Sequence, residues 1–360
     1  MRIGVIGVGF GTTVHIPAFI SEGLDVVAVC ASRKERAEEA AERFSIPNVF
    51  TDYRDLLNLE NLDAVSIVSP PSLHKDMAID AIKAGKHVIC EKPFALNQDQ
   101  AYMMWQKAEN SDVTCMIAHE FRYASARMRT KELIDEGYIG NLHMALVNLV
   151  NGPKDGFKPR NISTRDHAEE GGGFLWALGS HYIDCLRTWF GEVSSVSGQV
   201  HTHFPERTDP ANGQSLMATS DDAFTFTLEF KNGGWATMNG TNAAPFGSGG
   251  NIEIYGNEGT LVTPHQGNGF NPPPHGILFG ARNGDDGLKK LEIPKRLESI
   301  YDDRDDRLGP FRLLVQEFIA GVSGGYSPRP NFYDGYKCQQ ILDAIRESSS
   351  TGNRIRIPND

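Results

Sequence analysis

The chain has 360 residues, more than one core ordinarily organises, so two domains are expected. Its 40 % apolar and 22 % charged residues are typical of a globular protein. A net charge of −11 argues against a nucleic-acid partner, whose phosphates demand a basic face. No apolar run reaches the roughly 20 residues of a membrane helix.

Up to residue 120, short apolar runs alternate with amphipathic stretches, the pattern of repeated βαβ units. Strands are predicted over Arg2–Ile6, Asp25–Cys30, Ala64–Val68, His87–Cys90 and Val113–Ile117. They are rich in Val and Ile and apolar on both faces, as in a covered parallel sheet. Helices are predicted over Lys34–Phe44 and Lys75–Ala84, the second closed by Gly85. The chain opens directly on a strand, so no signal peptide is expected. Cysteines at 30, 90, 115, 185 and 338 show no CxxC spacing, and three lie in apolar runs. They read as buried and reduced, which fits a cytoplasmic protein.

Beyond residue 120 a helix is predicted over Tyr123–Glu136, closed by Gly137, and a strand over Leu142–Val150. A helix over Trp176–Phe190 follows. Strands over Glu192–His203, Ala223–Phe230, Gly234–Thr241, Asn251–Tyr255 and Thr260–Val262, joined by Gly- and Asn-rich turns, suggest a mostly antiparallel sheet. Two helices, Phe311–Val322 and Tyr333–Ser348, lie near the end. Residues 264–310, rich in Gly, Pro and Asp, read as a long excursion from the sheet. Within it the run Asp302-Asp303-Arg304-Asp305-Asp306 lacks the glycine and final glutamate of a calcium loop and reads as a solvated acidic turn. His201 and His203 share one side of a strand without a third ligand, so they read as surface residues, and no metal site is expected.

Three motifs carry chemistry. Gly7-Val8-Gly9-Phe10-Gly11-Thr12 follows the first strand as a near match to GxGxxG. Gly11 falls at a variable position and Thr12 where the last glycine belongs. The first two glycines allow a tight turn and close approach of backbone to a pyrophosphate at a helix N-terminus. After the second strand, residues 30–34 contain no acid for a ribose 2′-hydroxyl. Ser32 and Arg33 offer a hydroxyl and a guanidinium to a 2′-phosphate instead, which predicts NADP(H) as preferred and NAD(H) as possible. The third motif is Ser69-Pro70-Pro71-Ser72-Leu73-His74, then Ala84-Gly85-Lys86-His87-Val88-Ile89-Cys90-Glu91-Lys92-Pro93. Lys92 falls just past a parallel strand, at the sheet edge where such folds bind ligands. Its ammonium suits donation to a substrate oxygen, and desolvation would let it exchange a proton near neutral pH.

This ordered set resembles the Gfo/Idh/MocA family, named for glucose–fructose oxidoreductase, inositol dehydrogenase and rhizopine catabolism. The resemblance continues through Arg122, the turn Glu136-Gly137-Tyr138-Ile139-Gly140, Gly171-Gly172-Gly173 and Gly179-Ser180-His181-Tyr182-Ile183-Asp184. It implies an α/β Rossmann dinucleotide-binding domain, 1–120. An α+β domain follows, 121–360, with an open, mostly antiparallel β-sheet for substrate binding and for homodimer or homotetramer contacts. The activity implied is an NAD(P)-dependent oxidoreductase moving a hydride between nicotinamide and a carbinol carbon of a sugar, sugar acid or cyclitol.

By the same resemblance Lys92 assists proton transfer, Glu91 lies near the nicotinamide and His181 is the acid or base. Coenzyme contacts are expected from Gly7, Gly9, Phe10, Gly11, Thr12, Ser32, Arg33, Ser69, Pro70, His74, Glu91 and Lys92. Substrate contacts are expected from Arg122, Tyr123, Arg165 and Asp184. The loop carrying Arg160, Arg165, Asp166 and His167 is expected near the pocket mouth. Many members place an aspartate four residues before the histidine; here that residue is Ala177. Asp184 lies one turn past His181 on a similar helical face, and Trp176 either narrows the pocket or fills core. Two rival functions stay open. One is a retained-coenzyme enzyme performing epimerisation, elimination or glycoside cleavage. The other is a nucleotide-binding sensor or partner that has lost catalysis, which Ala177 motivates.

Overall fold

A computed structural model describes residues 1–154, 160–265 and 271–358. The chain forms two compact units, Met1–Tyr123 with Ile300–Gln339, and Ala124–Ser299 with Gln340–Asp360. A single cut at residue 120 would assign residues 300–339 to the second unit. Leu308, Phe311, Leu314, Val315 and Phe318 instead bury against Ile3, Val5, Val14 and Phe19, because their helix presents that apolar row to the first sheet.

The first unit holds six parallel strands, β1 (Arg2–Ile6), β2 (Asp25–Cys30), β3 (Asn48–Phe50), β4 (Ala64–Ile67), β5 (His87–Cys90) and β6 (Cys115–Ile117). Their order is β3-β2-β1-β4-β5-β6, the doubly wound arrangement. Its direction reverses between β1 and β4, and ligands of such sheets bind at the carboxyl ends of the strands beside that reversal. The connecting helices are α1 (Ile16–Ser21), α2 (Lys34–Phe44), α3 (Tyr53–Leu57), α4 (Pro71–Lys83) and α5 (Gln98–Glu109). The α5 helix starts at Asn97, whose side chain accepts from the Gln100 amide.

The second unit begins with α6 (Ser125–Asp135) and β7 (Leu142–Val150). A three-stranded ribbon joins β8 (Arg160–Asn161), β10 (Glu206–Thr208) and β11 (Ser215–Met217). Helix α7 (Ser180–Phe190) precedes β9 (Val193–His201). The main sheet adds β12 (Ala223–Phe230), β13 (Trp235–Thr241), β14 (Gly249–Gly256), β15 (Gly259–Pro264), β16 (Phe279–Arg282), β17 (Lys289–Lys290) and β18 (Ile355–Arg356). Its nine strands run β17-β16-β15-β14-β7-β13-β12-β9-β18. All neighbours are antiparallel except β7 and β13. The helices α8 (Leu308–Gly324) and α9 (Phe332–Thr351) complete the chain.

The alternation along β12 explains the sheet's two faces. Phe224, Phe226, Leu228 and Phe230 are buried on one side. On the other, Thr225 donates to Asn239 at 2.8 Å and Asn239 donates to Asn148 at 3.0 Å. The excursion expected over 264–310 returns to the sheet as β16 and β17, while residues 266–270 lie outside the described residues. Nor is the 302–306 run a plain solvated turn. The Asp302 side chain is 4 % exposed and pairs with Arg304 and Arg312.

Both edges of the main sheet are protected. One ends in the two-residue, lysine-bearing β17, short and charged. At the other, β18 covers only Val196 and Ser195 of β9. Where it stops, α9 takes over. The Gly198 and Val200 amides donate to the hydroxyls of Ser348 and Ser349 at 3.0 and 2.9 Å. A Cβ at Gly198 would lie 2.9 Å from Ile345, so glycine permits this approach. Among the described residues no helix is long and apolar enough to cross a membrane.

Candidate active site

The glycine turn leaves β1 at the switch point. Gly7 has φ +109°, and a Cβ there would lie 2.4 Å from the Val68 carbonyl oxygen. A Cβ on Gly9 would meet nothing within 4 Å, so bare backbone faces open space, as a close-lying pyrophosphate requires. The third-glycine role falls on Gly11, whose Cβ would sit 3.1 Å from Val5 and wedge the helix off its strand. Thr12 does not take that role. Its hydroxyl donates to the Val8 and Gly9 carbonyls at 2.9 and 3.1 Å, within the turn. The shift by one residue coincides with a π-helical turn over Gly11–His15, which inserts an extra residue before α1. Phe10 is half-buried beneath the Arg307 guanidinium, 4.7 Å from its ring centroid.

Ser32 and Arg33 are exposed just past β2. Lys34 instead pairs with Glu38 at 3.3 Å along α2. Ser69 and Pro70 follow β4, Pro70 exposed. His74, expected to touch coenzyme, is fully buried. Its Nε2 lies 2.8 Å from the Ser69 carbonyl and its Nδ1 3.0 Å from that of Pro93. Burial lowers its pKa, opposed by those carbonyls and by Glu91. His74 therefore braces the Ser69–Pro70 turn against the Lys92–Pro93 segment from inside.

At the end of β5, Glu91 is buried, and its pKa is set by two opposing effects. Desolvation raises it, but the hydrogen bond and charge of His15, with Lys92 and His74, lower it further. His15 Nε2 lies 2.9 Å from Glu91 Oε1, and His15 Nδ1 lies 2.7 Å from Ser66 Oγ. This serine–histidine–glutamate chain imitates a nucleophile triad, yet Ser66 is fully buried inside β4 and reaches no substrate. It works as a clamp joining the first helical turn, β4 and β5. Glu91 Oε2 also accepts the Lys92 amide at 3.1 Å, which fixes the backbone of the half-buried Lys92.

Glu120 is a further buried acid, 2 % exposed; desolvation and then Glu91 push its pKa up to about 8. Arg122 and Tyr123, expected at the substrate, are tied to a distant segment of the first unit. Arg122 pairs with buried Asp334 at 3.4 Å, and the Tyr123 hydroxyl donates to the Arg329 carbonyl at 3.2 Å. His15, Glu120 and Arg307 escaped the sequence reading. The glycine motif ends three residues before His15, and Glu120 hides in Ala118-His119-Glu120-Phe121-Arg122, where attention went to the arginine.

In the second unit α7 carries His181 and Asp184, 2 % and 0 % exposed. Trp176 is core, 1 % exposed, beneath Arg346. Beside α7, the Arg127 guanidinium lies 4.4 Å from the Tyr182 ring centroid and donates to Cys185 Sγ at 3.1 Å. Tyr182 also meets His265 Nε2 at 3.2 Å, and burial with the nearby Arg127 charge lowers the His265 pKa to about 3. The loop before the triple glycine is knotted around fully buried Asp166, which receives Arg160 through both carboxylate oxygens and Arg207 at 2.7 Å. Arg165 is exposed. Among the described residues no acidic, histidine or cysteine cluster could hold a metal, and the five cysteines are buried and form no disulfide.

Asp221 sets the start of the α7 segment. Its Oδ2 accepts the Leu175 amide at 2.7 Å, and a Cβ on Gly173 would lie 2.2 Å from Oδ1. Burial raises its pKa to about 6, against the amide bonds that favour the anion. A folded-state pKa above the unfolded one means stability falls as pH rises from about 4 through 6. Asp221→Asn keeps an oxygen for the Leu175 amide. It is expected to raise the thermal midpoint by a few degrees at pH 7.5 and to give no gain at pH 4.5, by calorimetry. Equal effects at both pH values would contradict the assignment.

Residues 1–119 match the family described as oxidoreductase, NAD-binding Rossmann fold, and residues 131–357 its C-terminal alpha/beta domain. The chain is 28 % identical to levoglucosan dehydrogenase of Pseudarthrobacter phenanthrenivorans, covering 99 % of this chain and 98 % of that one. It is 27 % identical to myo-inositol 2-dehydrogenase of Thermotoga maritima, again covering 99 % and 98 %. A solved structure of levoglucosan dehydrogenase in complex with NADH and levoglucosan superposes with a TM-score of 0.89 at 26 % identity, covering 100 % of both chains. The Rossmann order of the first sheet, the glycine turn at its switch point, the mixed second sheet and matches over both segments together place this chain in the Gfo/Idh/MocA oxidoreductase family.

Proposed function

We propose that the protein reversibly oxidises a secondary alcohol carbon of a sugar, sugar acid or cyclitol with a nicotinamide dinucleotide. The first unit would hold the coenzyme and the second the substrate. The observation that carries this is the placement of Lys92 directly after β5, on the same carboxyl edge as the open glycine turn after β1. Gly7 and Gly9 fit a pyrophosphate, with free space over Gly9. When bound, the nicotinamide supplies the hydride acceptor or donor. The Lys92 amine takes the hydroxyl proton during oxidation and returns it during reduction. Glu91, gripped by His15, fixes the Lys92 backbone, and His74 fixes the turn that follows. His181 is the partner acid or base; with Ala177 one turn before it, that helix position brings no carboxylate to orient its ring. The relatives' substrates, levoglucosan and myo-inositol, support the polyol class. Mixing the protein with each, and with a panel of sugar acids, NAD⁺ and NADP⁺, is expected to produce reduced coenzyme. No reduction across that panel would overturn the reading.

Within it we assign NADP(H) as the preferred coenzyme, on the exposed hydroxyl of Ser32 and the guanidinium of Arg33 where an acid would repel a phosphate. Arg33→Ala is expected to weaken NADPH binding by about 10- to 100-fold and NADH binding little, a loss in keeping with charge-assisted hydrogen bonds. Fluorescence titration with both coenzymes checks this, and equal losses would refute it. The polar outer face of the nine-stranded sheet supports a homodimer or homotetramer, measurable by sedimentation. The buried thiols are consistent with a cytoplasmic setting.

A further inference from the structure

A cation from the far end of the chain reaches the glycine turn. Arg307 immediately precedes α8, the helix whose apolar row returns to the first sheet. That helix packs against both the π-helical turn Gly11–His15 and the short helical turn Glu120–Tyr123. The Arg307 guanidinium carbon lies 4.7 Å from the centroid of the Phe10 ring. Phe10 directly follows Gly9, whose missing side chain leaves open space at the turn. The Phe10 ring meets His15 edge-on at 5.6 Å between centroids, and His15 meets Phe311 of α8 at 4.3 Å. Arg307, Phe10, His15 and Phe311 thus form one packed row, which fixes the guanidinium beside the Gly9–Phe10 backbone.

The guanidinium is held by part of its fork only. Its Nε and Nη2 donate to the two Asp305 oxygens at 2.8 and 2.6 Å. Its Nη1 donates to nothing among the described residues, and the side chain is 31 % exposed. A cation already oriented by a carboxylate and a ring loses little freedom when it binds an anion. The Asp305 hydrogen bonds raise the Arg307 pKa against desolvation, and the charges of Asp305, Glu120 and Glu91 add to the rise. A pyrophosphate would bring further negative charge to an edge where those carboxyls already stand, and a nearby cation offsets the repulsion.

We propose that Arg307 is a coenzyme-binding residue, whose Nη1 and positive charge serve the pyrophosphate beside the Gly9–Phe10 turn. This rests on the reading that the glycine turn holds a nicotinamide dinucleotide. Backbone amides at the turn offer dipoles, and Arg307 adds a full charge that stays in place at any working pH. NADH and NADPH share the pyrophosphate, so Arg307 serves both alike. Arg33, assigned to the 2′-phosphate, serves NADPH alone.

Calorimetry of NADH and NADPH against Arg307→Lys, Arg307→Gln and Arg307→Glu tests this without any substrate. Affinity for both coenzymes is expected to fall in that order, by about 10-fold or more for Arg307→Gln and furthest for Arg307→Glu. Added salt should weaken NADH binding less steeply in Arg307→Gln than in the unaltered chain, and as steeply in Arg307→Lys, which keeps the charge. Melting should move by only a few degrees, since the Asp305 pair is part-exposed. Equal affinities across the series overturn the proposal. So does a loss confined to NADPH, which would move Arg307 to the 2′-phosphate. Equal losses in all three variants, with the salt dependence unmoved, also overturn it and make Arg307 a purely structural residue. Each of these failures leaves the dehydrogenase reading standing as long as the unaltered chain binds NADH. An unaltered chain that binds neither coenzyme overturns both.

Discussion

Lys92→Met is expected to lower kcat for sugar oxidation by about 10²- to 10⁴-fold while leaving NADH binding nearly unchanged, the span expected when a positioned proton-transfer group is removed. Methionine matches the length of the lysine stem and leaves the main-chain amide free to donate to Glu91 Oε2, so the turn after β5 keeps its shape. What disappears is the ammonium head placed just beyond that strand. Steady-state rates with levoglucosan or myo-inositol, beside fluorescence titration of NADH, separate the two effects. A variant that oxidises the sugar as fast as the unaltered chain would remove Lys92 from the chemistry. A variant with both rate and NADH affinity lost would make Lys92 a coenzyme ligand instead.

The largest expected stability effect comes from Gly7. At φ +109° an L-residue is strained by about 1–2 kcal/mol, and the added carbon must also displace the Val68 carbonyl 2.4 Å away. The two costs together give about 2–5 kcal/mol for Gly7→Ala, so the thermal midpoint should fall by about 5–15 °C. Gly9→Ala makes the contrast. Its Cβ meets no atom within 4 Å, so the fold should hold, while the carbon intrudes on the space where phosphate oxygens would approach bare amides. Unchanged melting with NADH binding weakened about 10-fold or more is the expected pair of results. A Gly9→Ala variant that binds NADH normally would place the pyrophosphate elsewhere.

Much of the framework was written locally. β1, β2, β5, β7 and β12 coincide with their predicted spans because the first three are short Val- and Ile-rich runs, the last two alternate apolar and polar residues, and turn residues bound them. Short elements carried no such pattern. β3 has three half-buried residues, and β16 and β17 lie in a Gly- and Asp-rich stretch whose composition alone reads as loop. Lys92, as a candidate, was legible because its neighbours in sequence are its neighbours in space. The groups around it were not. His15 meets Glu91 across 76 positions, and Arg122 meets Asp334 from the far end of the chain. Nothing in residues 7–12 signals the π-turn that hands the third-glycine role to Gly11. Local pattern fixes strands and turns; which charges share a dry space follows from topology.

The serine pair that meets β9 has a bearing on how far the chain can be shortened. Removing the stretch from Ser348 onward would strip both hydroxyls and β18 together, baring the main-chain donors of Gly198 and Val200 along one flank. Such a flank is a template on which another molecule's backbone can register, and shape alone does not forbid the addition. Ser348, Ser349 and β18 thus act as a guard against sheet-to-sheet growth between molecules, a task unrelated to catalysis that would surface as clumping during purification rather than as lost turnover.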